Sequence, residues 1–181
     1  MARLFFAIWP DEETARALAQ VAVALAGLAG GKPVPREKIH LTLAFLGSVD
    51  AERDAAAREA ARSIRGAGFE LVLDQVGSFR AAGVGWAGSS DPPPRLMRLA
   101  ARLSAALAAR GFALEDRPFT PHVTLARRIA RSVPRAPLPP LSWQASALTL
   151  VRSETGTGRY AIEESWALGR TRGADPGTSS R

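Results

Sequence analysis

Ile39-His40-Leu41-Thr42-Leu43-Ala44-Phe45-Leu46-Gly47 has a counterpart further along the chain in Pro121-His122-Val123-Thr124-Leu125-Ala126-Arg127. The protein contains only two histidines, and each opens the same tetrad of His, apolar, Thr, apolar within a run of strand-forming residues. Apolar residues make up 46% of the chain; a chance histidine would meet this context roughly once in a hundred, and both would do so on the order of once in ten thousand. Side chains alternate across an extended chain, so His40 and Thr42 share one face while Leu41 and Leu43 share the other. The same parity groups His122 with Thr124 against Val123 and Leu125. Each segment therefore buries one face and presents an imidazole and a hydroxyl on the other.

The 181 residues suffice for one domain with a full core or for two small fused lobes. Cysteine is absent, which removes disulfides, thiolate metal sites and a thiol nucleophile. The net charge is +7, and the basic side chains are 22 arginines plus Lys32 and Lys38. A solvated arginine-rich surface explains this charge as well as a polyanionic partner does, although the planar guanidinium is well suited to phosphate. Leu18 to Gly31 is apolar but shorter than a membrane span, and Asp11, Glu12 and Glu13 before it suit a helix start better than a signal peptide. The expectation is a soluble cytoplasmic protein.

Arg3 to Trp9 reads as a strand closed by Pro10. Asp11 is placed to cap a helix with Leu18, Val21, Leu25 and Leu28 in one stripe, ended by Gly30 and Gly31. After the first histidine strand, Asp50 caps a second, alanine-rich helix over 51–65. Phe69 to Phe79 and Val84 to Ala87 read as a hairpin. Asp91 as cap, Pro92 in the first turn, Leu96, Leu99, Leu103 and Leu107 on one face, and Gly111 past the end mark a third helix. The second histidine strand follows, within 112–125, and then a proline-rich surface connection at 132–140. Strands over 142–153 and 159–168 flank a turn at 154–158. Residues 170–181 read as a frayed tail, leaving 1–169 as a single two-lobed domain. Strand, helix and histidine strand thus occur twice, with the histidines 82 residues apart. The fold class expected is α+β, with two lobes about an approximate twofold axis that brings both His/Thr faces to one groove.

Two imidazoles facing one space can supply a base and an acid together near neutral pH. A phosphodiester suits such a pair: one imidazole deprotonates the attacking oxygen and the other protonates the leaving oxygen, each worth about 10²–10⁴ in rate. The hydroxyls of Thr42 and Thr124 can donate to the non-bridging oxygens. Arg127, assigned by alternation to the histidine face, adds a full positive charge. The chemistry requires no cofactor, and a metal site would depend on scattered carboxylates, because two histidines without cysteine leave the ligand count short. A non-catalytic nucleotide- or RNA-binding module could use the same cleft, but binding alone needs arginines and not an acid and a base.

The paired tetrads, the wording of His40 to Gly47 and the run Arg117-Pro118-Phe119-Thr120-Pro121-His122-Val123-Thr124-Leu125-Ala126-Arg127 resemble the two-histidine phosphoesterase superfamily. Within it they resemble the RNA 2′,3′-cyclic phosphodiesterases, also called 2′-5′ RNA ligases. The resemblance spans Phe5 to about Leu168 and implies a bilobal α+β fold with antiparallel sheets lining a central cleft. It implies opening of a 2′,3′-cyclic phosphate to a 2′-phosphate and reversible, ATP-independent 2′-5′ joining of RNA ends. It also implies that His40 and His122 are catalytic, that Thr42 and Thr124 bind phosphate, and that Arg127 contacts it. By analogy within the family, His122 activates water and His40 protonates the departing 3′ oxygen. Phe45, Arg152 and Tyr160 are candidates for the nucleoside end. The implied partners are RNAs with cyclic phosphate ends, tRNA fragments among them, or cyclic nucleotides, acted on by a monomer away from membranes.

Overall fold

Phe5, Phe6 and Ile8 make the opening run a strand, β1 (Ala2–Ile8), in a computed structural model that describes residues 2–115, 117–154 and 158–169. Asp11 caps helix α1 (Glu12–Ala29) as expected, its carboxylate accepting from the Thr14 N–H at 2.8 Å, and Gly30 ends the helix in the left-handed conformation that glycine adopts without strain. The buried face of α1 is Ala15, Leu18, Ala22, Leu25, Ala26 and Ala29. Leu28 is 65% exposed and Val21 only half-buried, so the expected leucine stripe is corrected: the alanines let the helix axis lie close to the sheet.

The short strand β2 (Lys32–Pro33) precedes β3 (Leu41–Gly47), and Asp50 caps α2 (Ala51–Ser63) through the Arg53 N–H. Strands β4 (Phe69–Phe79) and β5 (Val84–Gly88) form the anticipated hairpin. Helix α3 (Pro94–Ala108) starts three residues beyond Asp91, with Pro93 at its cap and no side-chain cap bond. Three consecutive prolines explain the correction, since a residue preceding proline is pushed out of helical geometry and only the last can open the helix. The remaining strands are β6 (His122–Arg127), β7 (Ala136–Ala145), β8 (Ala147–Glu154) and β9 (Tyr160–Ala167).

Two further expectations change here. The supposed connection at 132–140 contributes half of β7, a strand that takes Pro137, Pro139 and Pro140 because it lies at the sheet's edge and pairs only with β4. The single strand read over 142–153 is two strands that part at Ser146 and occupy opposite ends of the sheet. The expected tail at 170–181 and the residues 155–157 of the last turn lie outside the described residues.

The strands form one antiparallel sheet in the order β7-β4-β5-β6-β3-β1-β8-β9, with β2 paired to β6. It divides into mirror-ordered quartets, β6-β5-β4-β7 and β3-β1-β8-β9, joined where β3 meets β6 at the pair Leu41 and Val123. The expected α+β fold of two duplicated lobes is present, with the two sheets fused through this pair. The chain leaving β9 meets the chain entering β4: the Gly68 N–H donates to the Gly169 carbonyl and the Gly169 N–H to the Gly66 carbonyl. One face carries the helices and the main core, including Leu4, Phe6, Leu41, Leu43, Leu103, Val123 and Leu125; the other carries the histidines. Among the described residues no helix is long and apolar enough to cross a membrane.

Helix α2 is clasped to β9 by charge. Arg58 pairs with Asp54 at 2.8 Å, Glu163 at 3.1 Å and Glu164 at 3.0 Å, and Arg152 joins at Glu163 and Asp54. The Arg152 hydrogen bond, with help from Arg58, lowers the Glu163 pKa; burial raises that of Glu164, but hydrogen bonds from Arg58 and Arg62 outweigh it. We expect Arg58→Ala to destabilise the fold by about 1–3 kcal/mol near neutral pH, because three half-buried carboxylates lose their shared partner. Carboxylates with lowered folded pKa values stabilise above the unfolded value and lose that contribution as pH falls through the folded one. The deficit should therefore shrink in acid, which urea denaturation at several pH values will read; a deficit unchanged below about pH 3 would reject the account.

Candidate active site

Strand β3 meets β6 at the pair Leu41/Val123, and the antiparallel direction of the two strands brings His40 toward the Thr124 side and Thr42 toward the His122 side of that pair. A twofold axis through the Leu41/Val123 pair therefore exchanges the two histidines and the two threonines. The two tetrads are neighbours through this pair, near enough for the charge of His122 to act on His40, as the internal duplication leads one to expect.

The histidines are held alike. The Nδ1 of His40 lies 2.7 Å from the Lys38 carbonyl and that of His122 lies 2.8 Å from the Thr120 carbonyl, each two residues upstream. A carbonyl can only accept, so Nδ1 carries the proton in both rings and a neutral imidazole offers Nε2 as its basic atom. The Nε2 of His40 is 3.1 Å from the Thr42 hydroxyl, which donates to it when the ring is neutral.

Arg127 reaches this face by a route that simple alternation misses. In a regular strand Arg127 would follow Leu125 onto the helix side. Instead β6 pairs Thr124 with Trp86, Ala126 with Gly85 and Arg127 with Val84, leaving Leu125 as an extra residue. The bulge turns Leu125 and Ala126 into the core and returns Arg127 to the histidine face. Strand β3 repeats the device: Thr42 pairs with Ala7, Ala44 with Phe6 and Phe45 with Phe5, leaving Leu43 unpaired. Phe45 is thus the twofold mate of Arg127, on the same face and 49% exposed.

The flanks differ in what surrounds each ring. His40 stacks on Phe5 with centroids 4.9 Å apart, is met by Trp9 at 5.1 Å and receives the Tyr160 edge at 5.6 Å. Lys38 places its ammonium 5.6 Å from the Tyr160 centroid. His122 meets Phe79 at 5.0 Å and borders a cavity of about 210 Å³ lined also by Gln75, Trp86, Ser89 and Thr120. Trp86 lies flat over Gly77, where any Cβ would come within 2.5 Å of the indole, and the Arg135 guanidinium sits 5.6 Å from its ring centroid. Gly88 stands opposite His122 and keeps the cavity open.

Desolvation is the main influence on both imidazoles. It pushes His40 down to about 4, aided by the charges of Arg127 and His122 and opposed by the Lys38 carbonyl. It lowers His122 as well, aided by Arg117 and Arg127 and opposed by the Thr120 carbonyl and Glu115. Both rings are therefore neutral at pH 7 when the cleft holds no anion, in a field made positive by Arg127. Among the described residues, no three His, Cys, Asp or Glu side chains converge as a metal-ligand set.

Of the residues singled out from sequence, His40, Thr42, His122, Thr124, Arg127, Phe45 and Tyr160 share this face. Arg152 does not. It pairs with Leu4 across β1, which points to the core, and its guanidinium is tied to Glu163 and Asp54 on the α2 side. Phe5, Trp9, Phe79, Trp86 and Arg135 were not visible as site residues. The available signal was the aromatic density of Phe5 to Trp9, which is equally that of an ordinary strand.

A family model described as the 2′-5′ RNA ligase superfamily matches residues 8–157. The chain belongs to that superfamily. The RNA 2′,3′-cyclic phosphodiesterase of Escherichia coli is 37% identical over 170 residues, covering 92% of this chain and 96% of the relative. The enzyme of the same name from Thermus thermophilus is 34% identical, covering 97% and 96%. Among solved structures, E. coli LigT complexed with 3′-AMP superposes with a TM-score of 0.83 at 37% identity, covering 92% of this superfamily member and 97% of LigT.

Proposed function

We propose that the protein is an RNA 2′,3′-cyclic phosphodiesterase that opens cyclic phosphate termini to 2′-phosphates, and that the same groups carry out reversible, ATP-independent 2′-5′ joining, in which a 5′-hydroxyl takes the place of water in attacking the cyclic phosphate and the 3′ oxygen leaves as before. The observation that carries this reading is the meeting of the two His/Thr tetrads at the Leu41/Val123 pair, about one axis; among the described residues the Thr42 hydroxyl is the one hydrogen-bond partner of either Nε2. Phosphorus on that axis lies between two imidazoles, as an in-line displacement requires. His122 takes a proton from water as the water oxygen bonds to phosphorus; His40 gives its proton to the 3′ oxygen as the P–O3′ bond breaks. The net result consumes one water and leaves a 2′-phosphate and a 3′-hydroxyl. Thr42, Thr124 and Arg127 stabilise the charge that builds on the non-bridging oxygens. The cavity beside His122, floored by Trp86 and edged by Gln75 and Ser89, suits a nucleoside, and Tyr160 and Phe45 offer further ring faces. In this reading the protein acts on RNA ends in the cytoplasm as a monomer and uses no cofactor.

The protonation states make a test. Catalysis needs one neutral and one charged imidazole, and both are lowered in the free protein, His40 to about 4 and His122 below its ordinary 6.5. The bell-shaped profile of kcat/KM, which reports free-enzyme groups, should therefore peak below pH 6.5. A bound phosphate anion favours imidazolium and moves the falling limb of kcat to higher pH. Turnover of RNA ending in a 2′,3′-cyclic phosphate, followed by phosphorus NMR with EDTA present, will check both profile and product. A 3′-phosphate product, a kcat/KM maximum above about pH 7 or loss of activity to EDTA would each count against the mechanism.

A further inference from the structure

Several arginines on this surface have acids beside them. Arg16 and Arg36 pair with Glu12, Arg58 and Arg62 with Glu164, Arg117 with Glu115, and Arg152 with Glu163. Four others gather in one place without any. Arg65, Arg95, Arg98 and Arg102 line a cavity of about 190 Å³ on the helix side of the sheet, with Gly66 and Ala67 as its backbone wall and Leu99 as its floor. Among the described residues none of the four meets a carboxylate: Arg95 donates to the Gly68 carbonyl at 3.1 Å, Arg102 to the Arg65 carbonyl at 2.9 Å and Arg65 to the Arg62 carbonyl. Arg98 makes no hydrogen bond or ion pair among them.

The arrangement carries electrostatic tension that no described residue relieves. Arg95, Arg98 and Arg102 occupy one face of α3 at spacings of three and four, where like charges repel, and α3 contains no acidic residue. Helices α1 and α2, by contrast, open with Glu12 and Glu13 and with Glu52 and Asp54. The carbonyl bonds of Arg95 and Arg102 use one of the roughly five donors on each guanidinium and hold both beside the cavity, so the remaining donors are available in a restrained geometry.

We propose that this cluster is a second RNA contact, binding the phosphodiester backbone of the substrate strand upstream of the terminus that occupies the histidine cleft. The inference rests on the RNA reading of the cleft. The class of ligand follows from the donors: four guanidiniums that meet no acid among the described residues, around a small cavity, match the singly charged, repeated phosphates of a polynucleotide. Because the cluster lies on the sheet face opposite the histidines, a mononucleotide cannot reach both. The contact therefore discriminates by length, favouring polymer ends over free cyclic nucleotides.

The test uses the full chain with R98E and R102E together, and with R98Q and R102Q in case charge reversal disturbs α3. Fluorescence anisotropy reads the affinity for a roughly 20-nucleotide RNA ending in a 2′-phosphate across a salt series, and a separate assay reads turnover of a 2′,3′-cyclic mononucleotide. The expected result is RNA binding weakened on the order of tenfold by the glutamates and less by the glutamines, with a salt slope shallower by about two. Mononucleotide turnover stays at the wild-type level. Unchanged RNA affinity in both variants would leave the cluster to some other anion and overturn the proposal, as would an equal loss on a dinucleotide. If the wild type opens a 2′,3′-cyclic phosphate neither on the RNA nor on the mononucleotide while the variants still lose RNA affinity, the second contact stands and the reading of the cleft falls.

Discussion

His40→Ala and His122→Ala should each lower kcat/KM for a cyclic phosphate terminus by about 10²–10⁴, with the fold retained. The doubly substituted protein should be little worse than the poorer single variant. The reason is that proton removal from water and proton delivery to the 3′ oxygen belong to one displacement, and once either is missing the other has nothing to complete. Circular dichroism and thermal melts separate this from damage. His40 is packed among Phe5, Trp9 and Tyr160, so its removal leaves a gap in a side cluster, whereas among the described residues His122 has one ring neighbour, Phe79. A melt lowered more by His40→Ala than by His122→Ala, with both inactive, is the expected pattern. A folded variant that keeps near-wild-type turnover would end the two-histidine mechanism.

Thr42→Val and Thr124→Val should be the next most damaging, at about 10²–10³ in kcat, the usual consequence of removing one donor from developing negative charge. Valine keeps the branched shape and the strand preference of threonine, so the loss isolates the hydroxyl. The two positions are related by the twofold axis but differ in the free protein: the Thr42 hydroxyl already bonds the His40 Nε2. Thr42→Val should therefore also shift the acidic limb of the pH profile, and Thr124→Val should leave that limb in place. Equal profiles in both variants would show that the Thr42 contact does not survive substrate binding, and unchanged kcat in both would remove the threonines from the mechanism.

What the sequence disclosed follows from periodicity, and what it hid follows from breaks in periodicity. His40, Thr42, His122 and Thr124 were legible because a strict two-residue alternation ties each threonine to its histidine. Arg127 was assigned to the right face by parity that does not hold; the unpaired Leu125 puts it there, and a bulge leaves no mark in a run of leucine and alanine. Arg152 failed for the same reason in reverse, since its face depends on the register of β8 against β1. The edge strand Ala136–Ala145 was hidden by its prolines, and the parting of β7 from β8 at Ser146 by a continuous strand-like pattern across it. The capping residues Asp11 and Asp50 were readable because capping is local, while Asp91 was displaced by prolines whose combined effect only the backbone reveals. The aromatic flanks of the two imidazoles needed the sheet order, which no local pattern contains.

The fusion of the two quartets through Leu41 and Val123 has a mechanical corollary. When one half of the molecule twists against the other, displacement grows with distance from the line of rotation and vanishes on it. A phosphorus bound as proposed, between the two tetrads, would sit close to that line. A turn of one half against the other would then move the outer rings more than the two imidazoles, which stand beside the junction.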